Sequence, residues 1–343
     1  MVLEAFYESA NLRQHQFLAL PLGFLYTCIG IGLSYLIFPG NVGLASVAFT
    51  SILMMPSLVN LVVREEEFQR KGRKLSLITM MQDYLPVVKV YLNLFLGSFF
   101  AYIVFSMLLS GSIVPVVFSA QFGGASSASL SGAATFDSTL FSYILVNNMV
   151  IVFLCFFISF LFGNGAIFFI TWNASVWGVF FGNLAVRTAQ VLNNSPLSLI
   201  LTILVVVITF VIIEALAYIM AAVSGSVLSK SVLKELKAKE LTVYHKYAAV
   251  VGALSSKISR RLLEEKWYAE GFSRVVSVNM ALLALAILAL IIGGVIETAI
   301  LENVGEYQVI RDQYEELLYE EIYVELELEE ARLDDLCGDY CGF

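Results

Sequence analysis

Charged side chains are scarce in this chain. Asp, Glu, Lys and Arg make up 14% of its 343 residues, against about 25% in soluble domains. So few charges, beside 59% apolar residues, argue against a soluble globular protein and for an integral membrane protein. Cysteine is also sparse. Four residues are too few for a disulfide framework, and Cys28 and Cys155 fall inside apolar runs as small core residues. Only Cys337 and Cys341 pair by spacing. With Asp335 and Asp339 beside them they fall short of a spaced four-ligand zinc set, so no metal or other cofactor is expected.

Histidine is nearly absent, and that excludes chemistry. Glu65-Glu66-Glu67-Phe68-Gln69-Arg70 fits the EExxxR pattern of intramembrane prenyl-protein proteases, but those enzymes need histidines within membrane helices. His15 and His245, the two in the chain, lie outside the apolar runs. The match therefore reads as a juxtamembrane surface of mixed charge. No HExxH, G-x-S-x-G or P-loop occurs, so no catalytic residue is assigned and an enzyme is not expected. A nucleic-acid partner has no support, since no basic patch accompanies a recognition module.

What the chain does have is long apolar runs. A bilayer core about 30 Å thick takes roughly 20 apolar residues per helix. On that rule seven spans are predicted, at about 17–38, 43–63, 86–110, 139–162, 166–186, 198–228 and 277–300. The fourth and fifth come from one uncharged stretch, Ser138 to Val186, with Gly163-Asn164-Gly165 supplying the turn. The fold class expected is all-α, a polytopic transmembrane helix bundle over residues 1–300, with an acidic tail over 301–343. No cleavable signal peptide is expected, because Glu4 and Glu8 precede a run long enough to span.

Lys and Arg set the orientation. They cluster in the loops 64–84 and 229–276, which are therefore expected to be cytoplasmic. Residues 111–138 and 187–197 offer only Arg187 and belong outside. That puts the N-terminus in the cytoplasm and the acidic tail outside, in a multi-pass protein of the cell membrane. The stretch GGASSASLSGAA reads as part of a flexible external loop. The basic loop 229–276 has helical periodicity and reads as one or two surface helices. The tail holds fourteen acidic residues against Arg311 and Arg332, and its apolar spacing leans to helix.

Within the sixth span stands Glu214, in FVIIEALAYIMAAVSG, residues 210–225. An ionised carboxylate in hydrocarbon costs about 2.5–3.5 kcal/mol on insertion scales, so Glu214 must be protonated, paired or facing water inside the bundle. Ala217, Ala221 and Gly225 follow it at helical spacing, and span five carries a matching stripe of Ala174, Gly178 and Gly182. Small residues so spaced mark close helix packing, which turns Glu214 inward near spans five and six. Asn148 stands fourteen residues before Phe162, and Glu214 fourteen before Leu228. Both therefore lie roughly 21 Å from one membrane face. Asn148 is the first candidate partner for Glu214 and Asn147 the second. Asn173 and Tyr218 complete the candidate polar set, while Glu297 and Lys89 read as interfacial, with Lys89 snorkelling.

These residues coincide with a known pattern. GAIFFITWNASVWGVFFGN at 165–183 resembles the most distinctive motif of the stage II sporulation protein M family, in its archaeal-type branch. NNMVIVFLCFFISFLFG from Asn147, EALAYIMAAVSG from Glu214, the opening LGFLYTCIGIGLSYLIF and the late GGVIETAI with Glu297 also fit. Where family members carry a His-Gly pair and a Pro before the glutamate, this chain has Phe210, Val211 and Ile213. The resemblance implies a non-catalytic membrane scaffold or component of an envelope complex, with other envelope proteins or a second copy as partners besides the lipid bilayer. The alternative expectation is a small-solute or proton-coupled transporter or channel using Glu214 with Asn147, Asn148 and Asn173.

The predicted topology has a direct check. In intact cells, after reduction, a membrane-impermeant thiol reagent should label Cys337 and Cys341. Labelling only after permeabilisation would return the tail to the cytoplasm and remove one span.

Overall fold

Backbone N–H and C=O groups in hydrocarbon find no water, so an apolar chain satisfies them along itself as helix. The computed structural model describes residues 12, 15–71, 77–109, 113–122, 138–251 and 258–303, and every regular element among them is helical. Seven long helices carry the expected spans: α1 (Ala19–Ile37), α2 (Val42–Lys71), α3 (Leu77–Leu108), α6 (Ser138–Phe162), α7 (Ile167–Leu192), α8 (Pro196–Val251) and α9 (Ile258–Asn303). Each is long and apolar enough to cross a membrane, and the apolar part of the last, Gly271–Ile300, is one continuous helix. Two single-turn helices, α4 (Val114–Val117) and α5 (Ser119–Phe122), complete the set.

The turns form where the sequence permits them. Between α6 and α7, Gly163 takes φ +70°, a left-handed conformation open to glycine without strain. After α7, Asn193 adopts the left-handed conformation and the Asn194 N–H closes on Ala189 O at 3.0 Å. Pro196 then opens α8, where its missing N–H costs nothing.

Three loop expectations change. Basic loop 229–276 does not form separate surface helices, because α8 and α9 run on through it and leave only 252–257 outside the described residues. No Gly or Pro occurs between Gly225 and Gly252, so helix propagates past the point where the side chains turn polar. At 56 residues, α8 is roughly 84 Å long, well beyond a bilayer core. Part of the loop 111–138 is folded as α4 and α5: Phe118 is fully buried, and Gln121 Nε2 donates to Gly43 O at 3.1 Å and Ser175 Oγ at 3.3 Å. The segment GGASSASLSGAA and the tail from 304 onward, with Cys337 and Cys341, lie outside the described residues. Arg187 is not in a loop but buried inside α7.

Close backbone contact organises the bundle. On α7, a Cβ at Gly178 would come within 2.7 Å of Phe99 O, and one at Gly182 within 2.8 Å of Ser106 Cβ, both on α3. A Cβ at Gly225 of α8 would collide with Phe156 O of α6. The small-residue stripes of spans five and six therefore do not mate with each other as expected. Each takes a different helix, because α3 and α6 also present backbone close to the surface; α7 and α8 meet instead through Trp177 and Phe210, ring centres 5.7 Å apart. These contacts run α3 parallel to α7 and α6 parallel to α8, while α8 and α9 form an antiparallel hairpin. Lys234 of α8 bonds Glu66 of α2, which brings both basic loops to the same end of the bundle.

Adding a methyl group at such a crossing forces the helices apart, an overpacking cost of about 1–3 kcal/mol. Gly225→Ala should lower the thermal unfolding temperature in detergent. Gly32→Ala is the control, since nothing lies within 4 Å of its would-be Cβ, and, with alanine the better helix former, it should not lower that temperature.

Candidate functional site

Three helices build the site. Parallel packing of α6 on α8 aligns Asn148 with Glu214, as equal depth requires. Glu214 is 1% exposed, and its Oε1 accepts a hydrogen bond from Asn148 Nδ2 at 2.7 Å. One turn along α8, the Tyr218 hydroxyl donates to Asn148 Oδ1, also at 2.7 Å. The amide of Asn148 is thereby oriented, with its carbonyl taken by the tyrosine and its NH2 facing the carboxyl.

The third helix contributes what the sequence placed elsewhere. Glu297 was expected near the outer interface, yet it is 5% exposed and its carboxyl lies within hydrogen-bonding reach of that of Glu214. Gly293 of α9 lies directly against α8, its would-be Cβ 3.3 Å from Glu214 Cγ, so the Cα of Glu297 stands about one turn, ~6 Å, further along. In a helix every Cα–Cβ bond leans toward the N-terminus. Because α8 and α9 are antiparallel, Glu214 and Glu297 lean toward each other and close that gap. Comparing Cα depths alone could not show this; Gly293 four residues before Glu297 was the available signal.

Oε2 of Glu214 and Oε2 of Glu297 accept from no N–H or O–H donor, and both are buried. Tyr218 from α8 and Cys155 from α6 are the other titratable groups close by. No Lys or Arg among the described residues acts on either carboxyl. The arrangement is thus an oriented amide, a hydroxyl and two adjacent carboxyl groups in an apolar interior. It can hold or release positive charge.

The other sequence candidates fall away from this cluster. Asn147 points to the exposed face of α6, one residue of rotation, about 100°, from Asn148. Asn173 is buried but donates to Phe169 O of its own helix at 2.8 Å. Ala217, Ala221 and Ala174 are fully buried, as small packing residues should be, and Lys89 is exposed. The mixed-charge surface read from Glu65 to Arg70 is corrected: Glu65 and Glu66 are fully buried, and Lys234 also lies 3.7 Å from Glu67. The continuing α8 covers that face of α2. A second buried polar group joins three elements near the same end, where Tyr84 OH donates to Asn279 Oδ1 at 2.6 Å and Ser224 Oγ to Asn279 O at 2.8 Å.

Seven apolar helices around a buried polar cluster define the class: a multi-pass, all-α integral membrane protein. No family model matches the chain, and no curated protein or solved structure proves similar to it.

Interhelical hydrogen bonds in membrane bundles average about 0.6 kcal/mol, whereas a buried acceptor stripped of its donor costs about 1–3 kcal/mol. Tyr218→Phe strips one acceptor, Asn148 Oδ1, whereas Asn148→Leu strips Glu214 Oε1 of its donor and the Tyr218 hydroxyl of its acceptor, so the former should destabilise the detergent-solubilised protein less. The double variant should cost less than the sum, since both act on one amide. Additive losses would show that the three groups are not a unit.

Proposed function

We propose that this protein is an ion-coupled membrane transporter in which Glu214 and Glu297 form the coupling site and Asn148 and Tyr218 hold Glu214 in place. One observation carries the reading: two carboxyl groups from different helices lie side by side in an apolar interior with no basic partner among the described residues. As adhesive the pair is a poor choice. A hydrogen bond contributes about 0.6 kcal/mol, while ionising one such group in hydrocarbon costs about 2.5–3.5 kcal/mol. Two apolar side chains of like volume would hold α8 to α9 more tightly. An ionisable group kept at that cost is explained by gain and loss of a cation during a working cycle. Each loss of the cation leaves like charges adjacent, and the repulsion is available to separate α8 from α9.

A second reading is a non-catalytic scaffold of the stage II sporulation protein M type, binding other envelope proteins. It is favoured by the glycine crossings, where helix backbones touch and leave no width for an aqueous path, and by the motif resemblance at 165–183. In that reading the carboxyl pair only registers α6, α8 and α9.

Proteoliposomes separate the two. Under an imposed pH or sodium gradient, the native protein should carry ion flux read by an internal dye. Glu214→Gln and Glu297→Gln should each reduce it at least about tenfold, a barrier change near 1.4 kcal/mol, without lowering the unfolding temperature. Absent flux, with the same membrane proteins recovered on mild-detergent purification of native and Glu214→Gln protein, would favour the scaffold.

A further inference from the structure

The identity of the ion can be taken further, on the premise that the carboxyl pair is the coupling site. We infer that the site between Glu214 and Glu297 takes a single proton and rejects metal cations, and that Asn148 and Tyr218 position that proton between the two Oε2 atoms.

Ligand supply is the first reason. A buried hard cation takes about six or more oxygen ligands. Here Glu214 Oε1 already accepts from Asn148, and Asn148 Oδ1 already accepts from Tyr218. Glu214 Oε2 and Glu297 Oε2 are buried with no donor among the described residues, and two such oxygens fall well short of the roughly six a cation takes. Asn148 turns its NH2 toward the carboxyl, and an amide NH2 repels a metal ion that its carbonyl would attract. Turning it over would break both 2.7 Å bonds at once.

Room is the second reason. Gly293 lies so close that its would-be Cβ stands 3.2 Å from Ile213 Cγ2 and 3.3 Å from Glu214 Cγ. On the α9 side there is no width for a cation with a hydration shell, whereas a proton needs none. The neighbours from each packed element agree: α6 presents Asn148 and Cys155, α8 presents Tyr218, and α9 presents Glu297. From α7, Trp177 packs on Phe210 one turn away.

Orientation is the third. A carboxyl oxygen that accepts from an N–H is the poorer place for a proton. The donated bond to Oε1 therefore leaves Oε2, on the Glu297 side, as the atom that carries it, and the neighbouring carboxyl is the acceptor. Only one proton fits that bridge. Its departure leaves two carboxylates facing each other, and their repulsion disfavours that departure from the closed arrangement.

Infrared difference spectroscopy of the purified full-length protein in lipid tests this directly, using pH steps in sodium, potassium or lithium chloride. The expected result is a carbonyl stretch of a protonated carboxylic acid that disappears as pH rises, with a midpoint unmoved by any of the three salts. In both Glu214→Gln and Glu297→Gln the band should change its frequency and its midpoint, since each leaves a lone buried acid without its partner. Asn148→Leu and Tyr218→Phe should retain the band but shift its frequency, the former more.

A cation competing for the site would move the midpoint by about one pH unit per tenfold concentration. That result would overturn proton selectivity and leave ion-coupled transport standing. A band of native frequency and midpoint in either Gln variant would overturn the shared proton, and an unshifted band in Asn148→Leu would overturn the positioning role. If the band behaves as expected in a protein that carries no flux, the proton site stands and the transport reading fails.

Discussion

Keeping two carboxyl groups in the apolar interior is the constraint that the rest of the bundle answers to. They need an oriented donor, an adjacent acceptor and shelter from lipid, and no single helix can supply all three. Asn148 comes from α6, Tyr218 from α8 itself and Glu297 from α9. Close backbone approach brings these helices within side-chain reach. Gly225 lets α8 settle on α6 and Gly293 lets α9 settle on α8. Glycine packing and the polar cluster are thus one device: the first sets the distances at which the second can hydrogen-bond.

The remainder of the bundle clamps this core. Helix α1 packs on α2 and α3, and α2 and α3 pack on α7, through small and hydroxylated residues, as where Thr27 of α1 donates to Ser98 of α3 at 2.9 Å and Ser106 of α3 to Val179 O of α7 at 2.9 Å. Helix α7 connects that group to α8 through Trp177, which stacks on Phe181 of its own helix and meets Phe210 of α8 edge to face. Beyond the apolar region α8 continues as a single helix, so Glu214 at mid-bundle and Lys234, bonded to α2, belong to one rigid rod. The Lys234 contact lies ~30 Å from Glu214 along the helix axis.

Much of the site was legible because helix periodicity and chain direction are sequence properties. Asn148 and Glu214 could be matched in depth from their spacing to the span ends, and Tyr218 followed one turn on. Glu297 was not legible in the same way. Its depth depends on how far α9 slides along α8 and on the lean of two side chains in opposite directions. Asn147 and Asn148 are adjacent in sequence, and only the face that α6 turns toward α8 separates the useful one from the exposed one. Nor could the partners of the glycine stripes be named, since a small-residue surface accepts any helix that can approach it.

The seven membrane-length spans and the presence of a buried acid follow from the sequence alone. Apolar runs of bilayer length have one way to satisfy their backbone in lipid, and charge is too costly there to go unnoticed. Tertiary structure alone decided which helices touch and how the antiparallel hairpin is registered. By that registration it turned a solitary glutamate into half of a pair. Those outcomes depend on the summed fit of many weak, short-range contacts between distant segments, and such a sum is not written in any one stretch of the chain.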